Sequence, residues 1–217
     1  MLLTMLDTPN RDRATERREA TRREIVDAAW ELARAHGLAE ITLRQVAARV
    51  GMQAPSLYGH VASKHAIYDA MFAEAWTEFL DGARALGTQL PDDLPGFVLG
   101  CARYFFDFAT RDPVRNQLMN QRTIPGFEPT PEAYAPAVAA LDEFAAQMAA
   151  RGITDQEDID LYVALVGGLA DSQLANDPGG DRWRRLLERA VDMYVRDLVV
   201  RSGGETTPHP FTEARDR

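Results

Sequence analysis

Residues 41–64 read ITLRQVAARVGMQAPSLYGHVASK, and they predict two short helices joined by a tight turn. Thr42 can N-cap the first helix, with Gln45 three residues on to complete a capping box. Leu43, Val46, Ala47 and Val50 recur at helical spacing and give one apolar face. Gly51 stands where a helix end favours a residue able to reach positive φ. The second helix opens with Gln53, Ala54 and Pro55, because the N–H that proline lacks has no partner in a first turn anyway. Leu57 and Val61, four apart, face inward, and Ser56, Tyr58 and His60 point out.

Such a pair is either an ordinary αα-hairpin or a helix-turn-helix, whose second helix enters the DNA major groove. Residue types favour the second reading. Thr42, Arg44, Ala47 and Gly51 form T-x-R-x-x-A-x-x-x-G; Pro55 to Val61 reads P-S-L-Y-G-H-V; Ser63 and Lys64 follow. With these residues the segment resembles the tetracycline-repressor (TetR) family of transcriptional regulators. The close resemblance covers roughly residues 21–70 and is only architectural beyond. It implies an all-α, homodimeric, ligand-responsive DNA-binding protein, usually a repressor.

Candidate DNA contacts follow residue by residue. Arg44 can donate to guanine O6 and N7 together, and the matching family position often reads a base; a phosphate contact is the alternative. Thr42, Ser56, Tyr58, His60 and Lys64 are donors suited to phosphate oxygens, which position but do not specify. Gln53 can reach an adenine edge or a phosphate, and Ala54 and Pro55 can touch a thymine methyl. Two residues depart from the family pattern. Ala54 replaces what is often a longer polar residue, and Gly59 takes a place usually held by a large aromatic. Both leave the recognition surface thin.

Charge supports the same reading once its distribution is seen. The net charge is −9, yet the chain through His65 holds ten Lys and Arg against eight Asp and Glu. Arg11, Arg13, Arg17, Arg18, Arg22 and Arg23 precede the pair of short helices. A locally basic region on an acidic chain can orient it on DNA. Some of these arginines can equally be paired along a solvated helix face with Glu16, Glu19 and Glu24. With 217 residues the chain can bury a substantial core. No apolar run approaches the ~20 residues needed to cross a bilayer, and the N-terminus lacks a signal peptide's long apolar core. A lone cysteine, Cys101, fits a reducing cytoplasm.

Around the pair, the periodicity predicts about nine helices and no strands. Residues 1–14 are expected as a flexible arm, with Arg11 and Arg13 able to reach a minor groove. Helix 1 is expected from about Thr15 to His36, with Ile25, Ala28, Ala29 and Leu32 as its stripe. A long fourth helix runs from near Ser63 to about Leu86, and a breaker-rich loop spans 87–96. A fifth covers about Leu94 to Thr110. Asp112 and Pro113 start a sixth, as N-cap and first helical residue. Thr130 and Pro131 start a seventh, which Pro136 should kink or restart. Thr154 and Glu157 suggest a second capping box for an eighth. A ninth follows residues 177–180, and 203–217 are expected as a loose tail. The expected division is a three-helix head over 15–62 and a ligand-binding and dimerisation body over 63–202.

No Gly-rich phosphate loop after a strand, no G-x-S-x-G, no H-E-x-x-H and no paired-Cys spacing is present. No catalytic residue, metal site or cofactor is therefore expected. The alternatives are a helical ligand-binding or scaffold protein without DNA binding, and an all-α enzyme. The body holds many large or aromatic residues: Phe72, Trp76, Phe79, Tyr104, Phe105, Phe108, Met119, Phe127, Tyr134, Phe144, Met148 and Tyr162. Singly each reads as core. Together, with Cys101 and polar groups such as Asn120 and Gln173, they are candidates to line an effector cavity. For a homodimer the candidates are Val163, Gly167 and Ala170 in helix 8, and Leu187, Val191, Tyr194, Val195 and Leu198 in helix 9. The expected protein is cytoplasmic and off the membrane. It binds a double-stranded, pseudo-palindromic operator and lets go when an apolar or aromatic small molecule arrives.

Overall fold

The computed structural model describes residues 10–202, with side chains from Arg13 to Arg201. All regular structure among the described residues is helical, as expected. The α-helices are α1 Asn10–His36, α2 Leu43–Arg49, α3 Ala54–Leu57, α4 Lys64–Gly87 and α5 Leu94–Arg111. They continue with α6 Pro113–Asn120, α7 Pro131–Ala149, α8 Gln156–Asn176 and α9 Leu187–Ser202. Single 3₁₀ turns, Leu38–Glu40 and Arg184–Leu186, precede α2 and α9. No described helix is long and apolar enough to cross a membrane.

The chain divides into two compact units, Met1–Asp81 with Asp112–Ala140, and Gly82–Arg111 with Leu141–Arg217. These bounds do not follow the expected head and body, because α6 and the start of α7 belong with the first unit. In that unit Ile25, Ala29 and Trp30 of α1 are buried together with Leu38, Ile41, Val46, Leu57, Ile67, Tyr68 and Met71. Two short helices cannot bury enough surface alone, so α1 and α4 supply the rest. Each large side chain so buried contributes about 1.5–3 kcal/mol before entropy is counted. In the second unit α5 packs against α8 and α9. Its core includes Phe97, Val98, Phe106, Met148, Tyr162, Val166, Val191 and Leu198.

Several boundaries differ from expectation. α1 begins at Asn10 instead of Thr15, so the last residues of the expected arm are helical. Residues 1–9 of that arm and the expected tail 203–217 lie outside the described residues. α7 runs unbroken through Pro136. The lost hydrogen bond falls on the carbonyl of Glu132, in an exposed first turn that water can reach. The cap of α8 is Asp155, not Thr154: its carboxylate accepts the Glu157 N–H at 2.9 Å.

Candidate nucleic-acid interface and effector cavity

Local chemistry builds the helix-turn-helix as its sequence suggests. Thr42 caps α2, its Oγ1 accepting the Gln45 N–H at 3.3 Å while the Gln45 side chain accepts the Thr42 N–H at 2.9 Å. Gly51 takes φ +70, and the Met52 N–H reaches back to the Ala47 carbonyl at 2.8 Å, closing the turn. Gln53 is the N-cap of α3, without a side-chain cap bond, and Pro55 sits in its first turn. Only Ala54–Leu57 is α-helical. The chain then tightens, with Gly59 N–H on Ser56 O at 3.1 Å and His60 N–H on Leu57 O at 2.9 Å.

Leu57 and Val61 point into the core, while Gln53, Pro55, Ser56 and Tyr58 are exposed and Ala54 is half-buried. Tyr58 is 58% exposed, an unusual place for an aromatic ring with no ring partner among the described residues. His60 departs from the outward position expected. It is half-buried, and its Nδ1 is buried without a hydrogen-bond partner among the described residues. Arg44, in the first turn of α2, is exposed, with no carboxylate or carbonyl among the described residues holding it. Lys64 is engaged: its Nζ donates to the Ala39 carbonyl at 2.6 Å and lies 5.4 Å from the Tyr68 ring centre.

Sequence reasoning left the basic run of α1 between two readings, and the structure adds a third for two of its arginines. Arg18 and Arg22 donate at 3.4 Å to the carbonyls of Gly59 and His60, at the end of the recognition segment. Cations at a helix C-terminus are favourable there. Nothing local in the sequence pairs residues 38 and 41 positions apart, so this role was not legible.

A cavity of about 380 Å³ opens beside α6. Phe72 of α4, Leu118, Met119 and Asn120 of α6, the segment Gln121 to Pro129 and Tyr134 of α7 form its wall. Phe72 and Tyr134 stack at 5.8 Å and 16°. Phe127 lies 5.4 Å from the Tyr68 ring, whose hydroxyl donates to the Leu38 carbonyl at 2.5 Å. Arg122 and Glu128 bring opposite charges to the rim. Of the candidates from sequence, Phe72 and Met119 line this cavity, with Asn120, Phe127 and Tyr134. Trp76 packs on Phe72 and Phe79, just off the wall.

The other candidates sit elsewhere. Cys101, Phe105, Phe144, Met148 and Tyr162 belong to the core of the second unit. Tyr104 and Phe108 pack on each other at 6.1 Å. Gln173 is buried, its Oε1 accepting the Trp183 N–H at 2.9 Å. Burial pushes the Cys101 thiol up to about 12, with Arg151 opposing. Burial likewise pushes the Tyr162 hydroxyl well above its ordinary value, and that hydroxyl donates to the Val98 carbonyl at 2.6 Å. The interface candidates divide as well. Ala170, Leu187, Val191, Tyr194 and Leu198 are buried in the chain's own core, Val195 packs against it, Gly167 is half-buried and Val163 is exposed. The apolar surface left on α8 and α9 is instead Leu161, Val163, Met193, Val199 and Val200.

Comparison with known proteins places this geometry. Residues 25–71 match the sequence model of the family described as bacterial regulatory proteins, tetR family. An HTH-type transcriptional regulator of Mycobacterium tuberculosis is 26% identical over 115 residues, 52% of this chain and 46% of that protein. The chain thus spans about half the length of such relatives. The tetracycline repressor protein class A from transposon 1721 of Escherichia coli is 27% identical over 185 residues, 81% of this chain and 77% of that one. In fold, the chain is similar to the transcriptional regulator FadR from Bacillus subtilis, solved in complex with stearoyl-CoA, with a TM-score of 0.59 and 14% identity. That match covers 80% of this chain and 97% of the other. Capped α2, the Gly51 turn, the proline-led α3 and the match over residues 25–71 agree: this segment is similar to the helix-turn-helix of the tetR family of bacterial regulatory proteins.

Proposed function

We propose that this chain is a cytoplasmic, homodimeric repressor that binds double-stranded operator DNA through α2 and α3 and is released by an apolar or aromatic small molecule. The observation that carries the reading is the two-sided pair of short helices. Its inner side is fastened by Val46, Ala47, Leu57 and Val61, while Arg44, Gln53, Ser56 and Tyr58 stand exposed on the other. A surface of donors on a rigid helix pair suits phosphates and base edges. A scaffold that had lost DNA binding would have no need of it.

The repressor sense is supported by the relative named as a tetracycline repressor. Release by an effector is supported by the cavity, whose volume is that of a small-molecule site and whose wall sets Phe72, Met119 and Phe127 beside Asn120, Gln121, Arg122 and Glu128. The fold neighbour that holds stearoyl-CoA supports the same reading. Dimerisation is supported by the exposed apolar residues of α8 and α9, which would be costly to leave in water together.

The test is a gel-shift selection from the chain's own upstream DNA, with the retained fragments sequenced. Enrichment of a pseudo-palindromic site is expected. Equal retention of every fragment, or none, would remove the DNA-binding reading. Thermal-shift screening of apolar and aromatic compounds then searches for the effector.

A further inference from the structure

Where the first unit brings opposite charges together, it pairs them. The cluster around Trp30 of α1 is the example. Asp112 Oδ2 accepts from Arg34 Nη2 at 2.6 Å, and Arg115 pairs with Glu78 of α4. Trp30, buried, donates its Nε1–H to Glu74 Oε1 at 2.9 Å, and the guanidinium groups of Arg34 and Arg115 lie 5.6 Å and 5.0 Å from the centre of its ring. The cavity wall departs from this habit. Arg122 and Glu128 both stand on it, both are exposed, and neither forms an ion pair with the other or with another described residue.

The segment that carries them is fastened, so their separation is built in. At its start the Gln121 N–H donates to the Gln117 carbonyl at 3.1 Å. At its end the Thr130 N–H donates to Asp69 Oδ1 of α4 at 2.9 Å. Between them Pro125 and Gly126 form a tight turn, closed by the Phe127 N–H on the Ile124 carbonyl at 3.2 Å, with Gly126 at φ +70. Arg122 precedes this turn and Glu128 follows it, one on each limb. The same wall offers aromatic surface. Phe72 is buried beneath Tyr134, which stacks on it and is itself 48% exposed. Phe127, half-buried, adds a third ring.

We propose that the cavity selects an amphoteric aromatic ligand: one or two fused rings that carry a carboxylate and an ammonium group, as an aromatic amino acid does. The rings lie against Phe72, Tyr134 and Phe127. Arg122 takes the carboxylate through its planar fork of donors, and Glu128 takes the ammonium. A neutral ring of the same size would take water from both charges and return no partner to either, so the wall discriminates against it. A volume of about 380 Å³ suits such a ligand. The proposal rests on the reading of the cavity as a small-molecule site and narrows the effector to one chemical class.

Four probes share one ring and differ in charge: L-tryptophan, tryptamine, indole-3-propionate and indole. Calorimetry near neutral pH, with the full chain and no DNA, measures each. Tryptophan is expected to bind at least about tenfold more tightly than either singly charged probe, and indole most weakly. Arg122→Gln should cost tryptophan and indole-3-propionate about tenfold while tryptamine and indole stay within about twofold; Glu128→Gln should cost tryptophan and tryptamine instead. Both side chains are exposed, so neither change disturbs the core. Indole binding as tightly as tryptophan, equal losses for all four probes in either variant, or no binding of any probe at about 10 mM overturns the ligand class. The effector reading is judged separately, on the selected DNA fragment. Tryptophan that binds without loosening the DNA would remove the effector role and keep the ligand class. Release of the DNA by an uncharged compound, with none of the four probes bound, would do the reverse.

Discussion

Arg44 and Lys64 are both basic donors near the recognition segment, but their surroundings give them different work. Arg44 is exposed with its guanidinium uncommitted among the described residues, so it can meet a base edge. Arg44→Ala should erase discrimination at one base pair, about 1–3 kcal/mol, and leave affinity for random DNA nearly unchanged. Lys64 gives one donor to the Ala39 carbonyl and has two left. Lys64→Ala should weaken all sequences alike, flatten the salt slope by about one unit, and also lower stability without DNA by about 0.5–1 kcal/mol. Gel-shift titrations over a salt series and urea unfolding separate the two. Cys101 gives a pH signature. Its thiol sits at about 12 in the folded chain against an ordinary 9.0, so folding favours the protonated form. The stability this contributes is whole below pH 9 and is lost as pH rises from there toward 12. Urea midpoints should fall over that window by less in Cys101→Ala than in the unchanged chain, and a thiol reagent at pH 8 should label only as fast as the chain opens.

Among the elements, α7 carries the clearest cost. Pro136 removes one backbone bond and crowds the Glu132 carbonyl. Pro136→Ala should therefore raise stability by about 1–3 kcal/mol in urea unfolding, and no gain would mean that the helix has already relaxed around the ring. What could be read from sequence at this scale was local. The Thr42 box, the Gly51 turn, and Pro113 following Asp112 all lie within a few residues of their partners. The cap of α8 was misplaced by one residue, because Thr154 and Asp155 are both good caps and only the backbone chooses. Fastenings between distant helices were hidden: Arg22 to His60, Arg34 to Asp112 and Arg115 to Glu78 join residues with no sequence relation. The cavity was half-hidden for another reason. Phe72 and Met119 have the same composition as Phe105 and Met148, and whether an apolar residue faces a void or a neighbour depends on how the facing elements fill the space.

At the scale of the whole molecule, the assembly and the switch are at stake. Leu198 is buried in its own chain, so charging it would unfold the unit and say nothing about a partner. Met193 and Val199 are 61% and 64% exposed. Met193→Glu with Val199→Glu should leave a folded monomer of 24.1 kDa in sedimentation, where the proposed homodimer of the unchanged chain should give twice that mass. The monomer should bind DNA poorly, since two heads are needed to span major grooves some 34 Å apart. A switch built on two states must also be reciprocal. Operator DNA should weaken effector binding by the factor by which effector weakens operator binding. Calorimetry of the effector with and without operator checks this, and identical affinities would leave a regulator whose cavity is not coupled to DNA.

The charge cluster around Trp30 has an optical consequence. The chain holds three tryptophans: Trp30 in α1, Trp76 in α4 and Trp183 just before α9. Trp30 is buried with its indole N–H on a carboxylate and two guanidinium groups near its ring, so its emission is tuned by charge as well as by solvent. Trp76 borders the cavity wall, and Trp183 is held in the second unit by Gln173. With Trp76 and Trp183 replaced by phenylalanine, the remaining indole becomes a built-in lamp inside the charge cluster, reporting each rearrangement of Arg34, Glu74 and Arg115 without an added dye.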